Sequence, residues 1–171
     1  MVERVPTKEE LHQLLDDAVR ERDNTKKGWK FEVFFENLMQ REKDFRLVAK
    51  HPRSELGEID YVYSHDLVAH HFWKLSPYIC VECKNWKENI SSTEISHLAD
   101  LIRDKELLTC CGVYVTSSSY DPSAKHAINQ LRIRDRILIV PVEGKHLTHL
   151  VEKGFKDFIQ QLCEEKIFKK T

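Results

Sequence analysis

The sequence of 171 residues predicts one α/β domain in which a mixed sheet is flanked by helices. Apolar segments typical of strands lie between amphipathic segments with helical spacing, in the order helix, helix, three strands, helix, strand, helix, strand, helix. The hydrophobic fraction of 41% is sufficient for one buried core, and the length is too short for two domains of typical size.

Two helices are predicted in the N-terminal part. A capping box, Thr7 with Glu10, begins the first helix, and the polar run at 23–25 ends it. The second helix is predicted from Gly28, because large apolar residues then recur every three or four positions. They are Phe31, Phe34, Phe35, Leu38 and Met39.

Three strands are predicted next, at 45–50, 57–64 and 78–84, and the first two form a hairpin. A second capping box, Ser91 with Glu94, begins another helix. The later elements are a strand at 112–117, a helix around 124–131, an edge strand at 137–142 that tolerates Pro141, and a C-terminal helix at 153–168.

Acidic residues and a lysine interrupt two of the predicted strands. Side chains alternate faces with a period of two along a strand, so Glu58 and Asp60 share one face, as do Glu82 and Lys84. Carboxylates packed closely together repel each other, and burying them is costly without compensation. Mg²⁺ compensates such a cluster and also activates bound water. The pattern therefore predicts a site for a hard divalent cation.

These residues also carry a family resemblance. Asp60 followed by Glu82-Cys83-Lys84 resembles the PD-(D/E)XK nuclease superfamily. The segment GWKFE at 28–32 and the segment VYVTSS at 113–118, followed by Ala124, resemble its Mrr-like restriction endonuclease branch. The resemblance spans roughly residues 28–150 and depends on several motifs in the right order.

The resemblance implies a restriction-endonuclease-like αβββαβ core with added N- and C-terminal helices. The chain would then be a single nuclease-like domain with a helical extension at 1–25, a catalytic core at 28–150 and a C-terminal helix at 153–168. The implied activity is a Mg²⁺-dependent endonuclease that hydrolyses phosphodiester bonds in DNA, with Mn²⁺ expected to substitute. Defence against foreign DNA is the implied role.

Residue roles follow from the same resemblance. Asp60 and Glu82 would bind the metal together with the Cys83 carbonyl, and Lys84 would position or activate water. Glu32 and Glu58 would bind a second metal or the waters of that metal. Trp86 either stacks on a base or packs, and Thr116 and Ser118 either contact substrate or cap the next helix. The candidate DNA contacts are Lys30, Arg53, Lys87, Trp86, Thr116 and Ser118.

Two alternatives stay open at this point. The chain could be a catalytically silent module of the same fold that binds nucleic acid or a protein partner. It could also hold structural zinc, since it contains Cys80-x-x-Cys83 and Cys110-Cys111. Each cysteine pair would fall on opposite faces of a strand, which disfavours a tetrahedral site. The histidines at 65–71 are interpreted as solvent-exposed or substrate-contacting residues rather than ligands.

The net charge of −1 indicates that any DNA affinity must come from local basic patches. One such patch is 26–53, with eight basic against four acidic residues. The absence of a signal peptide or long apolar run predicts a cytoplasmic protein with no membrane partner and with reduced cysteines. A homodimer or a separate recognition or activator subunit is expected, because the chain has little room for a recognition domain.

Overall fold

Residues 4–67, 76–104 and 111–165 are described by the computed structural model of the protein. A π-helical turn covers Leu131–Asp135, and a 3-10 turn covers Gly144–His146. The other elements are α1 (Lys8–Arg20), α2 (Asn24–Met39), β1 (Phe45–Lys50), β2 (Arg53–Ser54), β3 (Gly57–Glu58), β4 (Tyr61–His65), β5 (Tyr78–Lys84), α3 (Ser92–Asp104), β6 (Cys111–Thr116), α4 (Pro122–Gln130), β7 (Leu138–Val142), α5 (Leu147–Lys153) and α6 (Phe155–Cys163).

A five-stranded sheet in the order β1-β4-β5-β6-β7 forms the centre of the fold. Strand β4 is antiparallel to both of its neighbours, β1 and β5, whereas β5, β6 and β7 run parallel to one another. Helices α1, α2, α5 and α6 contribute to the core on one face of the sheet, and α3 and α4 to the core on the other. The mixed sheet flanked by helices confirms the predicted fold class.

The alternation of side chains along β5 is as predicted. Ile79, Val81 and Cys83 belong to the core beneath α2, whereas Cys80 belongs to the core beneath α3. The prediction that Cys80 and Cys83 lie on opposite faces is therefore confirmed. Cys110, His70 and His71 lie outside the described residues.

One predicted helix boundary is wrong, and one helix is missing from the predicted order. Helix α2 begins at Asn24 rather than Gly28, because the Asp23 carboxylate accepts a hydrogen bond from the Lys26 amide and so caps the helix. Asp23, in the polar run that is predicted to end the first helix, is therefore the N-cap of the second. The predicted order also omits α5, a short helix whose buried residues are Leu147, Leu150 and Val151.

The predicted strand at 57–64 is divided in the structure. Gly57–Glu58 pairs with Arg53–Ser54 in a separate two-stranded hairpin, and only Tyr61–His65 pairs with β1. His51 adopts a left-handed backbone conformation with φ of 51°, where the chain turns from β1 into the hairpin. Its amide donates to the Asp60 carbonyl at 2.9 Å. Asp60 consequently lies between two strands rather than within one.

Asn85, directly after β5, connects this strand to both N-terminal helices. Its buried amide nitrogen donates to the Ala18 carbonyl at 2.8 Å and to the Lys27 carbonyl at 3.0 Å. Its amide oxygen accepts from the Ser117 hydroxyl at 2.6 Å. One side chain therefore holds the end of α1, the first turn of α2 and the end of β6 around the end of β5.

None of the helices in the described part of the chain combines the length and the apolar character needed to cross a bilayer.

Replacing Asn85 by Ala should lower the free energy of unfolding by about 2 kcal/mol, because two helix-end carbonyls lose a buried donor. Urea denaturation followed by circular dichroism measures this change. Asn129→Ala, an exposed asparagine on α4, is the matched control and should change stability by less than about 0.5 kcal/mol. Equal stability of the two variants would contradict the role assigned to Asn85.

Candidate active site

Two buried carboxylates meet where β4 begins and β5 ends. Tyr61 pairs with Val81 in the antiparallel register of these strands, which places the preceding Asp60 next to Glu82. Asp60 Oδ2 accepts a hydrogen bond from the Cys83 amide at 2.7 Å. Asp60 is 8% exposed and Glu82 is 7% exposed. The structure thus brings together two of the predicted acids, from strands that are far apart in sequence.

Lys84 completes this cluster. Its ammonium nitrogen lies 2.6 Å from Glu82 Oε1. Burial, which acts to lower the pKa of Lys84, is outweighed by the Glu82 and Asp60 carboxylates, so that its pKa is raised above the usual value. The lysine is therefore a cation that can donate hydrogen bonds.

The acids are in an unfavourable environment for negative charge. Burial raises the pKa of Asp60, although the Cys83 amide and Lys84 act in the opposite direction. Burial and the nearby Asp60 charge together raise the pKa of Glu82 to about 7. A single lysine therefore compensates the two carboxylates only in part.

The oxygen atoms of Asp60 and Glu82 form a donor set that fits a divalent cation. Glu82 Oε2 is buried and has no hydrogen-bond partner among the described residues. Buried polar atoms are normally satisfied, so an orphaned carboxylate oxygen indicates a missing ligand. Carboxylates and a main-chain carbonyl are hard oxygen donors of the kind that Mg²⁺ prefers.

The protein ligands would be few. Within residues 4–67, 76–104 and 111–165, no group of three His, Cys, Asp or Glu side chains is arranged to hold a metal ion. The residues that could bind an ion are Asp60, Glu82 and Cys83, the last through its carbonyl, and water would fill the remaining coordination positions. Mg²⁺ commonly keeps several waters, so one or two carboxylates suffice.

His51 is a site residue that the sequence analysis missed. Its Nε2 atom lies 3.3 Å from Glu32 Oε2, and its Nδ1 atom lies 3.0 Å from Glu58 Oε1 and 4.0 Å from Asp60 Oδ1. The imidazole therefore lies among three acids. The signal in the sequence is only a histidine before Pro52 at the end of a predicted strand, which is also typical of an ordinary turn.

Glu32 and Glu58 lie around His51 rather than beside Glu82. Burial, and then the Asp60 charge, raises the pKa of Glu32. Glu58 is also held by Arg53, whose Nε donates to it at 2.6 Å. Glu36, one turn after Glu32, accepts from the Tyr61 hydroxyl at 2.9 Å. Of these two glutamates on α2, Glu32 is therefore the one that faces the acidic site.

The candidate DNA-binding residues fall into two groups. Lys30 is paired with Glu21 at 2.6 Å, and Arg53 is paired with Glu58 as described above. Trp86 and Lys87 lie on the loop that follows β5, and the Ser118 hydroxyl is 3.3 Å from the Lys87 carbonyl. This second group lies directly beside Lys84.

Thr116 is fully buried, and its hydroxyl accepts from the Ser118 amide at 3.1 Å. The idea that Thr116 or Ser118 caps the next helix is wrong, because Asp121 is the N-cap of α4. Through its hydrogen bond with Ser118, Thr116 supports the segment that follows β6.

The comparison with solved structures finds three chains at low identity. The first is MspJI restriction endonuclease in complex with a 27-mer oligonucleotide, with 15% identity and a TM-score of 0.44 over 95% of this chain and 38% of that chain. The second is a repair endonuclease from Pyrococcus abyssi, with 15% identity and a TM-score of 0.42 over 73% of this chain and 50% of that chain. The third is SfsA from Pyrococcus furiosus in complex with Ca²⁺, with 16% identity and a TM-score of 0.39 over 65% of this chain and 55% of that chain.

The chain thus spans between 38% and 55% of the lengths of these structures. No curated protein sequence gives a significant match. A family model does match, the restriction endonuclease model Mrr_cat, over residues 24–151. This range contains α2, the whole five-stranded sheet and every acid of the site. Because the match covers most of the sequence, the chain belongs to the Mrr_cat family of restriction endonucleases.

Proposed function

We propose that the protein is a divalent-metal-dependent endonuclease that hydrolyses phosphodiester bonds in DNA. The observation that carries this proposal is the buried pair of Asp60 and Glu82 beside Lys84, with Glu82 Oε2 left without a partner in the described part of the chain. Membership of a restriction endonuclease family supports the same activity. Mg²⁺ is the proposed ion, and Mn²⁺ is expected to substitute.

The metal would be held by Asp60, Glu82 and the Cys83 carbonyl. A divalent ion bound there supplies a Lewis acid for the phosphate and a more acidic water as nucleophile. The hydrogen bond from the Cys83 amide fixes Asp60 Oδ2, and the other oxygen of this carboxylate lies 4.0 Å from His51 Nδ1. Rigid placement of ligands is needed because Mg²⁺ demands near-octahedral geometry.

Lys84 would act as a hydrogen-bond donor. The neighbouring carboxylates keep its ammonium group protonated, so it is suited to orient the attacking water or to stabilise charge that develops on the phosphate. Lys84 now pairs with Glu82 at 2.6 Å, and it would be free to contact substrate if Glu82 were engaged by a metal.

His51, Glu32 and Glu58 would position the metal ligands. The imidazole contacts both glutamates and approaches Asp60 to 4.0 Å, so it would hold these carboxylates in place. Lys87 and Ser118, which contact each other at 3.3 Å, would bind the DNA backbone, whereas Lys30 and Arg53 would have to exchange their ion pairs for phosphate.

Wider roles follow from the family alone. A two-strand cut by one active site per chain favours a homodimer, and a separate recognition or activator subunit would supply sequence specificity. Defence against foreign DNA is the proposed biological role.

Asp60→Ala and Lys84→Ala should each lower Mg²⁺-dependent cleavage of plasmid and single-stranded DNA by at least about 100-fold. The first change removes a metal ligand, and the second removes the donor next to it. Cleavage is measured on gels at matched concentrations of folded protein, with Mn²⁺ in a parallel series. The control is Asp66→Ala, an exposed aspartate just beyond the other end of β4, which should retain full activity. Undiminished cleavage by Asp60→Ala would refute this site.

Mg²⁺ or Mn²⁺ should stabilise the wild-type protein by about 2.7 kcal/mol at a concentration about 100 times the dissociation constant. Glu82→Gln should lose this stabilisation, because the amide is a weaker ligand and carries no charge. Thermal unfolding with metal and with EDTA measures the difference for each protein separately. A metal-induced shift that survives in Glu82→Gln would show that the ion binds elsewhere. Metal binding without any cleavage would indicate a missing activator, whereas absence of both metal binding and cleavage would favour the silent binding module.

A further inference from the structure

The loop at 85–91, between the catalytic strand β5 and α3, presents an exposed tryptophan beside the acidic site. Trp86 is 42% exposed, although large apolar side chains are usually covered. The ammonium nitrogen of Lys84 lies 5.9 Å from the centroid of its indole ring. The metal chemistry proposed above does not use this ring.

Hydrogen bonds from the end of β6 hold the loop in place. The Ser117 hydroxyl lies 2.6 Å from the amide oxygen of Asn85 and 3.3 Å from the Trp86 carbonyl. The Ser119 hydroxyl donates to Asn89 Oδ1 at 2.7 Å. A loop fastened at both ends loses little conformational entropy when it binds a ligand. The backbone position of Trp86 is therefore set before binding.

A cavity of about 600 Å³ lies between this loop and the N-terminal end of α2. We call it the Trp86 cleft. Trp86 is the aromatic member of an otherwise polar lining, which includes the amides of Asn24 and Asn89, the lysines Lys27 and Lys87, and the acids Glu88 and Glu94. The volume lies within the range of small-ligand sites and is sufficient for a nucleotide. An indole face together with amides and lysines matches the chemistry of a base and its phosphate.

We propose that the Trp86 cleft binds an unstacked nucleotide of the strand that is cut, with its base on the indole ring and its phosphate toward Lys84. This inference rests on the proposed nuclease function and specifies its substrate. Bases in an intact duplex are covered on both faces by their neighbours, so only an unpaired or flipped base can stack on a protein ring. The preferred substrate is therefore DNA with a single-stranded or distorted cut site.

The test measures binding of one oligonucleotide in three forms, in EDTA so that cleavage does not interfere. The forms are a single strand, a perfect duplex, and a duplex with one unpaired base, and each carries the fluorescent base 2-aminopurine at the same position. Fluorescence anisotropy of an end label gives the affinity, and quenching of 2-aminopurine reports stacking on an aromatic ring. The proteins are the wild type, Trp86→Ala, Trp86→Phe and the control Trp29→Ala, which removes an exposed tryptophan on α2.

Trp86→Ala should weaken binding of the single strand and of the unpaired-base duplex by about 5- to 100-fold, the range expected for loss of one stacked base. It should also abolish the quenching, while binding of the perfect duplex changes by less than about twofold. Trp86→Phe should restore most of both signals, because a phenyl ring also stacks. Trp29→Ala should behave as the wild type.

Equal weakening of all three DNA forms by Trp86→Ala, or no weakening of any, would overturn the inference and leave the nuclease proposal standing if plasmid is still cleaved. Failure of the wild type to bind or cleave any form of DNA would overturn both proposals. Comparison of the thermal unfolding of each variant with that of the wild type separates a lost contact from a lost fold.

Discussion

The hydrogen bond from the Cys83 amide to Asp60 Oδ2 is the interaction on which the site depends. It joins the residue before β4 to the end of β5 at 2.7 Å, and so holds Asp60 beside Glu82. Like charges at close range resist this arrangement, and burial of both carboxylates increases the cost. The surrounding sheet tolerates this cost because a hydrophobic core packs against each of its two faces. The result is a buried acidic cluster in which one carboxylate oxygen has no hydrogen-bond partner among the residues that the structure describes.

Asn85, which directly follows Lys84, sets a second constraint on the site. Asn85 connects β5 to α1, α2 and the end of β6, so the end of the catalytic strand has a fixed position relative to three other elements. The same contacts determine where the chain leaves the sheet and how Trp86 is presented. The acidic cluster of Asp60 and Glu82 and the Trp86 cleft are therefore supported by one set of hydrogen bonds, and a change in this set would affect both.

His51 illustrates why part of the site was not predictable. Its left-handed backbone directs the chain out of the sheet into the β2–β3 hairpin, and the return through Asp60 brings three acids around one imidazole. A continuous strand at 57–64 would not produce this arrangement. Nothing in the local spacing distinguishes a strand with a turn at its start from a strand without one, because both alternate polar and apolar residues.

The sequence by itself determined the fold class, the central strand with Glu82 and Lys84 on one face, and the family, because these depend on local periodicity and motif order. Only the tertiary structure decided the pairing of Asp60 with Cys83, the place of His51, and the position of Glu32 and Glu58 around this imidazole. These relations join residues far apart in the chain, and they follow from strand register and from the path of a turn. Long-range geometry of this kind has no local pattern from which it could be predicted.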